Sequence, residues 1–214
     1  MDPFDPGVIG AAYDAVAEEY LAEFGDDLAD LPVDRGALDD LTARLDGRGP
    51  VLDVGCGPGQ VGRFLAARSV AVVGVDLALR MLTTARGAGA GSASFVAADM
   101  RSLPIGDGTC AGLVAFYSVQ HLARPELGVA LGEFRRVLTA GGLLLIAAHL
   151  GTGTVRIDEF LGHAVEPFGG RFYTEAELTS AVDTAGLAVE STVRRDALSH
   201  EYPSERIYLL ARAA

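Results

Sequence analysis

Residues 51–62 read Val-Leu-Asp-Val-Gly-Cys-Gly-Pro-Gly-Gln-Val-Gly, an apolar run that ends in an acid, meets three glycines within five positions and opens into a helical segment. Glycines let a chain turn sharply and let a ligand approach the backbone without meeting a Cβ. The start of the following helix offers N–H groups with no partner inside the helix. A strand, a glycine turn and a helix in that order fit the ligand-binding edge of an open α/β sheet.

The rest of the chain supports that class. Short Val/Leu/Ile-rich runs at 51–54, 70–75, 94–97, 111–116 and 143–148 alternate with helical stretches near 60–68, 78–86, 125–138 and 175–185, the pattern of a parallel sheet covered by helices. Thr174 with Glu177 forms a capping box for the last helix, and Gly186 stands where a left-handed cap ends it. Runs at 187–193 and 207–211 follow, joined by a loop too short for a helical crossover, so they pair antiparallel. The expected architecture is α/β: a Rossmann-like seven-stranded mixed sheet with helices on both faces and the last strand antiparallel. Ahead of it, Ala12, Val16, Tyr20 and Phe24, then Leu38, Leu41 and Leu45, recur at near-helical spacing and predict two N-terminal lid helices. Residues 1–214 read as a single domain, with 1–48 as lid, 49–214 as core, 87–94 as a Gly/Ala/Ser-rich surface loop and 150–173 as a segment suited to lining a substrate pocket.

A net charge of −12 repels phosphate backbones and anionic lipid headgroups, so neither nucleic acid nor a membrane is an expected partner. Cys56 and Cys110 form no metal-spaced cluster, and no metal is expected. The first residues carry acids where a signal peptide needs bases, which together with the lack of a long apolar run implies a cytoplasmic protein. Oligomeric state is not legible in the sequence.

Which ligand the glycines serve turns on Asp53. The run 57–62 also fits the dinucleotide pattern Gly-x-Gly-x-x-Gly, which keeps an NAD(P)-binding oxidoreductase as an alternative. A carboxylate beside a pyrophosphate is unfavourable, whereas an amino-acid ammonium and a sulfonium cation both gain from it, so Asp53 favours S-adenosylmethionine. Asp76 ends the second strand, 21 residues after Gly55, where a carboxylate accepts both hydroxyls of a ribose. Asp99 is placed to accept from an adenine amine and Met100 to donate its backbone N–H, while Leu77, Met81 and Met100 sandwich the ring.

These residues resemble the class I S-adenosylmethionine-dependent methyltransferases, particularly their small-molecule branch, over nearly the whole chain. Asp53 to Gly59 resembles the first motif, Asp76 the ribose-binding acid and Asp99-Met100 the adenine-binding pair. Residues 116–122 resemble the segment closing the fourth strand, 136–142 the turn before the fifth, though without the usual proline near Thr139, and 13–20 the lid helix. The resemblance implies S-adenosylmethionine as cofactor, S-adenosylhomocysteine as product and a small-molecule methyl acceptor. It assigns Gly55, Cys56, Gly57 and Gly59 to the cofactor loop, with Cys56 in a passive steric role.

In-line methyl transfer needs chiefly a nucleophile held about 3 Å from the methyl carbon. An acceptor that must lose a proton also needs a base, for which His121 and His149, beyond the fourth and fifth strands, are the candidates ahead of His163 and His200. Tyr13 and Tyr20, seven residues apart, are expected to close over the methionine end of the cofactor, with Phe116 and Tyr117 beside it. Arg195, Glu201 and Arg206 read as surface ion pairs or an anion site. A non-catalytic cofactor-binding module is the remaining alternative.

Overall fold

The computed structural model describes residues 2–89 and 93–214, so positions 90–92 of the surface loop expected over 87–94 lie outside the described residues. Its centre is a seven-stranded sheet. Five strands run parallel: β1 (Val51–Val54), β2 (Val72–Asp76), β3 (Ser94–Ala97), β4 (Cys110–Phe116) and β5 (Leu138–Leu150). Two further strands, here β8 (Leu187–Arg195) and β9 (Glu205–Ala213), complete the order β3-β2-β1-β4-β5-β9-β8, with β9 antiparallel to both its neighbours. β1 is buried at every position and β4 at all but its last, because helices cover both faces, and this is why these strands are unbroken apolar runs.

On one face, α6 (Arg124–Val137) and α7 (Glu175–Thr184) pack Leu131, Phe134, Leu178 and Val182 against Leu52, Leu113 and Ile146. On the other, α3 (Pro32–Leu45) and α4 (Gln60–Ala66) pack Leu38, Leu41 and Leu65 against Val51, Val114 and Leu145. The capping box at Thr174 and Glu177 forms, and Gly186 has φ +80° after α7. The strand order reverses between β1, whose other neighbour is β2, and β4, so a crevice opens at their C-terminal ends.

Two features differ from expectation. The first N-terminal helix breaks at Val16 (φ −120°, ψ 16°) into α1 (Pro6–Ala15) and α2 (Ala17–Phe24), so three helices precede the sheet instead of two. The break turns α2 while both segments stay packed on α5 (Leu79–Gly87), where Asp14 of α1 accepts a 2.7 Å hydrogen bond from the Arg80 N–H and caps α5 from outside. The stretch 150–173 holds two strands that the sequence did not announce: β6 (Thr154–Phe160) and β7 (His163–Arg171) form an antiparallel hairpin of their own. Phe168 of this hairpin is fully buried against Val8, Ile9 and Ala12 of α1, so lid helix and hairpin form one roof over the crevice. No helix among the described residues is long and apolar enough to cross a membrane.

Candidate active site

The glycine loop is fastened to the sheet before it meets any ligand. The N–H groups of Gly55 and Cys56 both donate to the Val75 carbonyl, at 2.8 and 3.0 Å. At Gly55 (φ +70°) a Cβ would fall 2.3 Å from that of Ser118, whose hydroxyl donates to the Val54 carbonyl, so only glycine fits. Asp76 is held from behind: the Gly57 N–H donates to Oδ2 at 2.8 Å and the Ala78 N–H to Oδ1 at 2.9 Å. Burial pushes its pKa up and Asp14 adds to this, against the backbone N–H groups that favour the carboxylate. Beside Asp76 the cleft is walled by Leu77, Met81, Ala98 and Met100. Gln60, the first residue of α4, also lines it, with a buried Oε1 that has no hydrogen-bond partner. No arginine among the described residues lines this cleft, and the chain has no lysine.

Of the residues singled out from sequence, Tyr13, Tyr20, Gly55, Gly57, Asp76, Leu77, Met81, Met100, Phe116, Tyr117 and His121 converge on the cleft. Four do not. Asp53 is 1% exposed and turned under α4, close to Gly62; its Oδ2 has no partner, and burial, reinforced by Asp76, pushes its pKa up to about 7. It therefore lies beneath the loop and outside the lining of the cleft, where the sequence had led us to expect a carboxylate facing the cofactor. The Cys56 thiol is buried against Gly74, and burial pushes its pKa up, which suits packing and not reactivity. Gly59 (φ +82°) is a turn residue against Ala85 and Phe95. The Asp99 carboxylate is engaged by Arg101, which also pairs with Glu126; burial raises its pKa but the Arg101 hydrogen bonds outweigh it and hold it low. Asp99 is thus committed within the protein, while its neighbours Ala98 and Met100 face the cleft.

Next to the cleft, and sharing with it the wall of Tyr13, Tyr20, Gln60, Phe116, Tyr117 and His121, lies a chamber of about 530 Å³. Its sides are apolar and aromatic: Phe24, Leu28 and Leu31 from the N-terminal segment, Val155, Ile157 and Phe160 from the hairpin, then Phe172 and Tyr202. Val155, Ile157 and Phe160 of this lining belong to the β6–β7 strand pair. Alternation of Val155 and Ile157 before the two-residue turn Leu161-Gly162 was the signal for it.

His121 stands in the shared wall with both ring nitrogens engaged. Nε2 is 2.8 Å from the Tyr13 hydroxyl and Nδ1 3.0 Å from the Gly169 carbonyl. A carbonyl only accepts, so Nδ1 carries the proton and Nε2 accepts from Tyr13, a neutral tautomer that burial favours by lowering the ring's pKa. The pair ties α1 to the hairpin. His149 faces the chamber with Nδ1 2.7 Å from the Ser204 hydroxyl, and burial, then the Arg206 charge, push its pKa down to about 4. Neither histidine is presented as a free base, contrary to expectation. Arg195, Glu201 and Arg206 are not surface pairs: Arg195 donates to Glu201 at 2.6 and 2.7 Å and to Asp34, which is 0% exposed and also accepts from the Tyr117 hydroxyl. Asp34, Gln60, Ser118 and Arg171 also line the cleft or the chamber and were not singled out from sequence. Gln60, the first helical residue after the glycines, and Ser118, inside the segment 116–122, stood within stretches that a motif marked.

Comparison with known proteins agrees with this geometry. A family model described as a methyltransferase domain matches residues 51–142. The chain is 32% identical over 178 residues to a malonyl-[acyl-carrier protein] O-methyltransferase of Pseudescherichia vulneris, a match covering 81% of this chain and 66% of that protein. It is 32% identical over 201 residues to the biotin biosynthesis bifunctional protein BioHC of Cellvibrio japonicus, covering 88% of this chain and 36% of that one. The chain thus spans under two thirds of the length of these two relatives. A crystal structure of an S-adenosylmethionine-dependent methyltransferase from Methanosarcina mazei shares the fold with a TM-score of 0.69 at 18% identity, over 77% of this chain and 92% of that one.

Proposed function

Because the chain belongs to the class I S-adenosylmethionine-dependent methyltransferases, we propose that it moves the methyl group of that cofactor to a small-molecule acceptor held in the aromatic chamber. S-adenosylmethionine, when bound, supplies an electrophilic methyl on a sulfonium and is left as S-adenosylhomocysteine. The observation that carries the reading is the cleft's polarity. It offers the Asp76 carboxylate and the orphaned Gln60 Oε1 as acceptors and no cationic side chain, which suits a ligand with ribose hydroxyls, an ammonium and a sulfonium and disfavours a diphosphate. Asp76 would accept from the ribose, Met81, Leu77 and Met100 would hold the adenine, Gln60 and the Gly55–Gly57 backbone would meet the methionyl end, and Tyr13 and Tyr20 would exclude water above it. The wall shared with the chamber is then where the methyl and acceptor meet, and positioning is the chain's main catalytic contribution. We read residues 1–48 and the 150–173 hairpin as the parts of this domain that roof the acceptor.

Calorimetric titration with S-adenosylmethionine, S-adenosylhomocysteine and NAD tests the proposal. The first two are expected to bind and NAD to fail, with Asp76→Ala weakening both by about 1–3 kcal/mol through loss of charge-assisted hydrogen bonds. NAD binding, or unchanged affinity in the variant, would overturn it.

A further inference from the structure

The charges around the chamber cancel among themselves. Arg195 pairs with Asp34 at 3.1 Å and with Glu201 at 2.6 Å, and Arg206 approaches Glu201 at 3.6 Å while its Nη1 donates to the carbonyls of Tyr202 and Ser204. Arg171 borders the chamber, but its guanidinium carbon lies 5.1 Å from the Phe4 ring, and Phe4 packs on the Gly169 side of β7, away from Gly170 and Val155, which line the chamber. Asp27 and His200 are exposed at the mouth. His149 is bonded to Ser204 and, buried beside Arg206, is uncharged at neutral pH, and His121 is held neutral between Tyr13 and Gly169. The interior therefore carries no net charge, and an ion entering it would shed its hydration with no free opposite charge to meet.

One uncharged polar group of this interior is left over. The short 3₁₀ turn Val119–His121 that follows β4 divides its side chains: Val119 is buried in the core, His121 stands in the wall shared with the cleft, and Gln120 lines the chamber alone. The Gln120 Oε1 is buried and accepts no hydrogen bond among the described residues. Gln60 has the same deficit, but it also lines the cleft, where the methionyl end answers it. The unpartnered Nε atoms of Arg171 and Arg206 belong to guanidinium groups already turned to Phe4 or to Glu201 and two carbonyls. A carbonyl oxygen shut away from water recovers what it loses only from a donor, and around Gln120 the wall is of Phe24, Leu28, Val155, Ile157, Phe160 and Phe172, which have none to offer from their side chains.

Resting on the methyltransferase reading above, we propose that the acceptor is an uncharged molecule, apolar over most of its surface, that donates one hydrogen bond from a hydroxyl or N–H to Gln120 Oε1. Apolar walls grip a ligand without fixing its direction, and a single placed polar group supplies the orientation. Gln120 adjoins His121, so that orientation is set beside the wall shared with the cleft, where methyl and acceptor meet. A ligand of the same shape with no donor leaves Oε1 both dry and unpaired. A carboxylate fares worse, because its oxygens only accept and would face Oε1 lone pair to lone pair. Gln120 is the specificity residue of this scheme: it touches the acceptor, takes no proton and acts on selection, not on the transfer itself.

Three pairs of matched shape serve as probes: 2-naphthol with 2-fluoronaphthalene, 4-propylphenol with 1-fluoro-4-propylbenzene, and indole with benzothiophene. Only the first member of each pair donates, and 2-naphthoate is the charged control. Affinity is measured by calorimetry on the full chain saturated with S-adenosylhomocysteine. In at least one pair the donor is expected to bind about tenfold tighter than its partner, and 2-naphthoate more weakly than 2-naphthol. Gln120→Met, nearly the same length without the carboxamide, should abolish the difference within the pair, while Gln120→Glu, whose oxygens only accept, should keep it. S-adenosylhomocysteine affinity should be the same in both variants, since Gln120 lies outside the cleft, and this also reports that they are folded. Pairs whose members bind alike or not at all, 2-naphthoate binding tighter than 2-naphthol, a Gln120→Met protein that keeps the preference or a Gln120→Glu protein that loses it would overturn the inference while leaving the methyltransferase reading intact. A wild-type protein that fails to bind S-adenosylhomocysteine would sink both.

Discussion

Asp53 shows how much one side chain's meaning depends on the face of the strand it occupies. Successive residues of β1 point to opposite faces, and Asp53 shares the face of Val51, under α4, while Leu52 and Val54 face the other way. Its neighbourhood is that of a core residue, which is why burial pushes its pKa up to about 7 from an unfolded value near 3.8. Between those two values the native state holds a proton that the unfolded chain has released, so stability falls as pH rises through this window. Asparagine has nearly the same shape and no charge. Asp53→Asn is therefore expected to gain on the wild type as pH rises, the difference in Tm between variant and wild type becoming more positive from pH 4.5 to 8. A difference independent of pH would mean that the carboxylate is solvated or paired in solution. Asp76 lies close enough to raise the Asp53 pKa, yet its oxygens are met by the Gly57 and Ala78 N–H groups and it lines the cleft, as Asp53 does not.

At the scale of elements, the parallel core was legible because its signals are local and redundant: apolar runs of strand length, glycines at the loop and the Thr174–Glu177 cap. The roof was less legible. Helix periodicity continues through Val16, so the break between α1 and α2 carries no residue mark, and it is tertiary packing on α5 that bends the chain there. The β6–β7 hairpin was obscured because Glu159 breaks the short alternation that Val155 and Ile157 begin, and because its turn has leucine where asparagine is usual. Leu161 and Gly162 have φ +48° and +80°, as a two-residue hairpin turn of this hand requires. The left-handed conformation costs a non-glycine residue about 1–2 kcal/mol, and asparagine tolerates it better. Leu161→Asn is accordingly expected to stabilise the protein by about 0.5–1 kcal/mol, part of the relief being offset by lost packing of the half-buried leucine, and to raise Tm by ~2 °C. An unchanged or lower Tm by calorimetry would show that the hairpin adopts another turn in solution. Of the site, the cleft was readable because its lining comes from the ends of successive strands, each marked by its own motif, while the chamber draws Asp34, Arg171 and Arg206 from distant parts of the chain that no spacing connects.

At the scale of the whole molecule, its charges oppose one another along the pH axis. The buried network beneath the chamber joins α3, through Asp34, to the end of β8 through Arg195 and to the following loop through Glu201. Hydrogen bonds from Arg195 pull the Glu201 pKa down to about 2. The unfolded chain therefore holds a proton on Glu201 that the native state does not, between its ordinary value near 4.5 and about 2, and its stabilising effect is lost as pH falls through that range. Glu133, Glu177 and Glu190, all lowered by hydrogen bonds or nearby arginines, act in the same direction. Asp53 acts oppositely between about 4 and 7, and so does the self-repulsion of a chain at −12, which relaxes toward the pI of 4.6. Descending from neutrality, the molecule should first gain stability and then lose it, with a maximum near about pH 5, at the acid end of the usual range. Urea midpoints measured from pH 3 to 8 would trace this curve. Glu201→Gln should flatten its acid limb and Asp53→Asn its neutral limb, each leaving the other in place, because the two groups sit on different parts of the fold and share no partner. Midpoints that climb steadily from pH 5 to 8 would instead mean that paired surface carboxylates, and not the buried acid under the glycine loop, govern the stability of this protein.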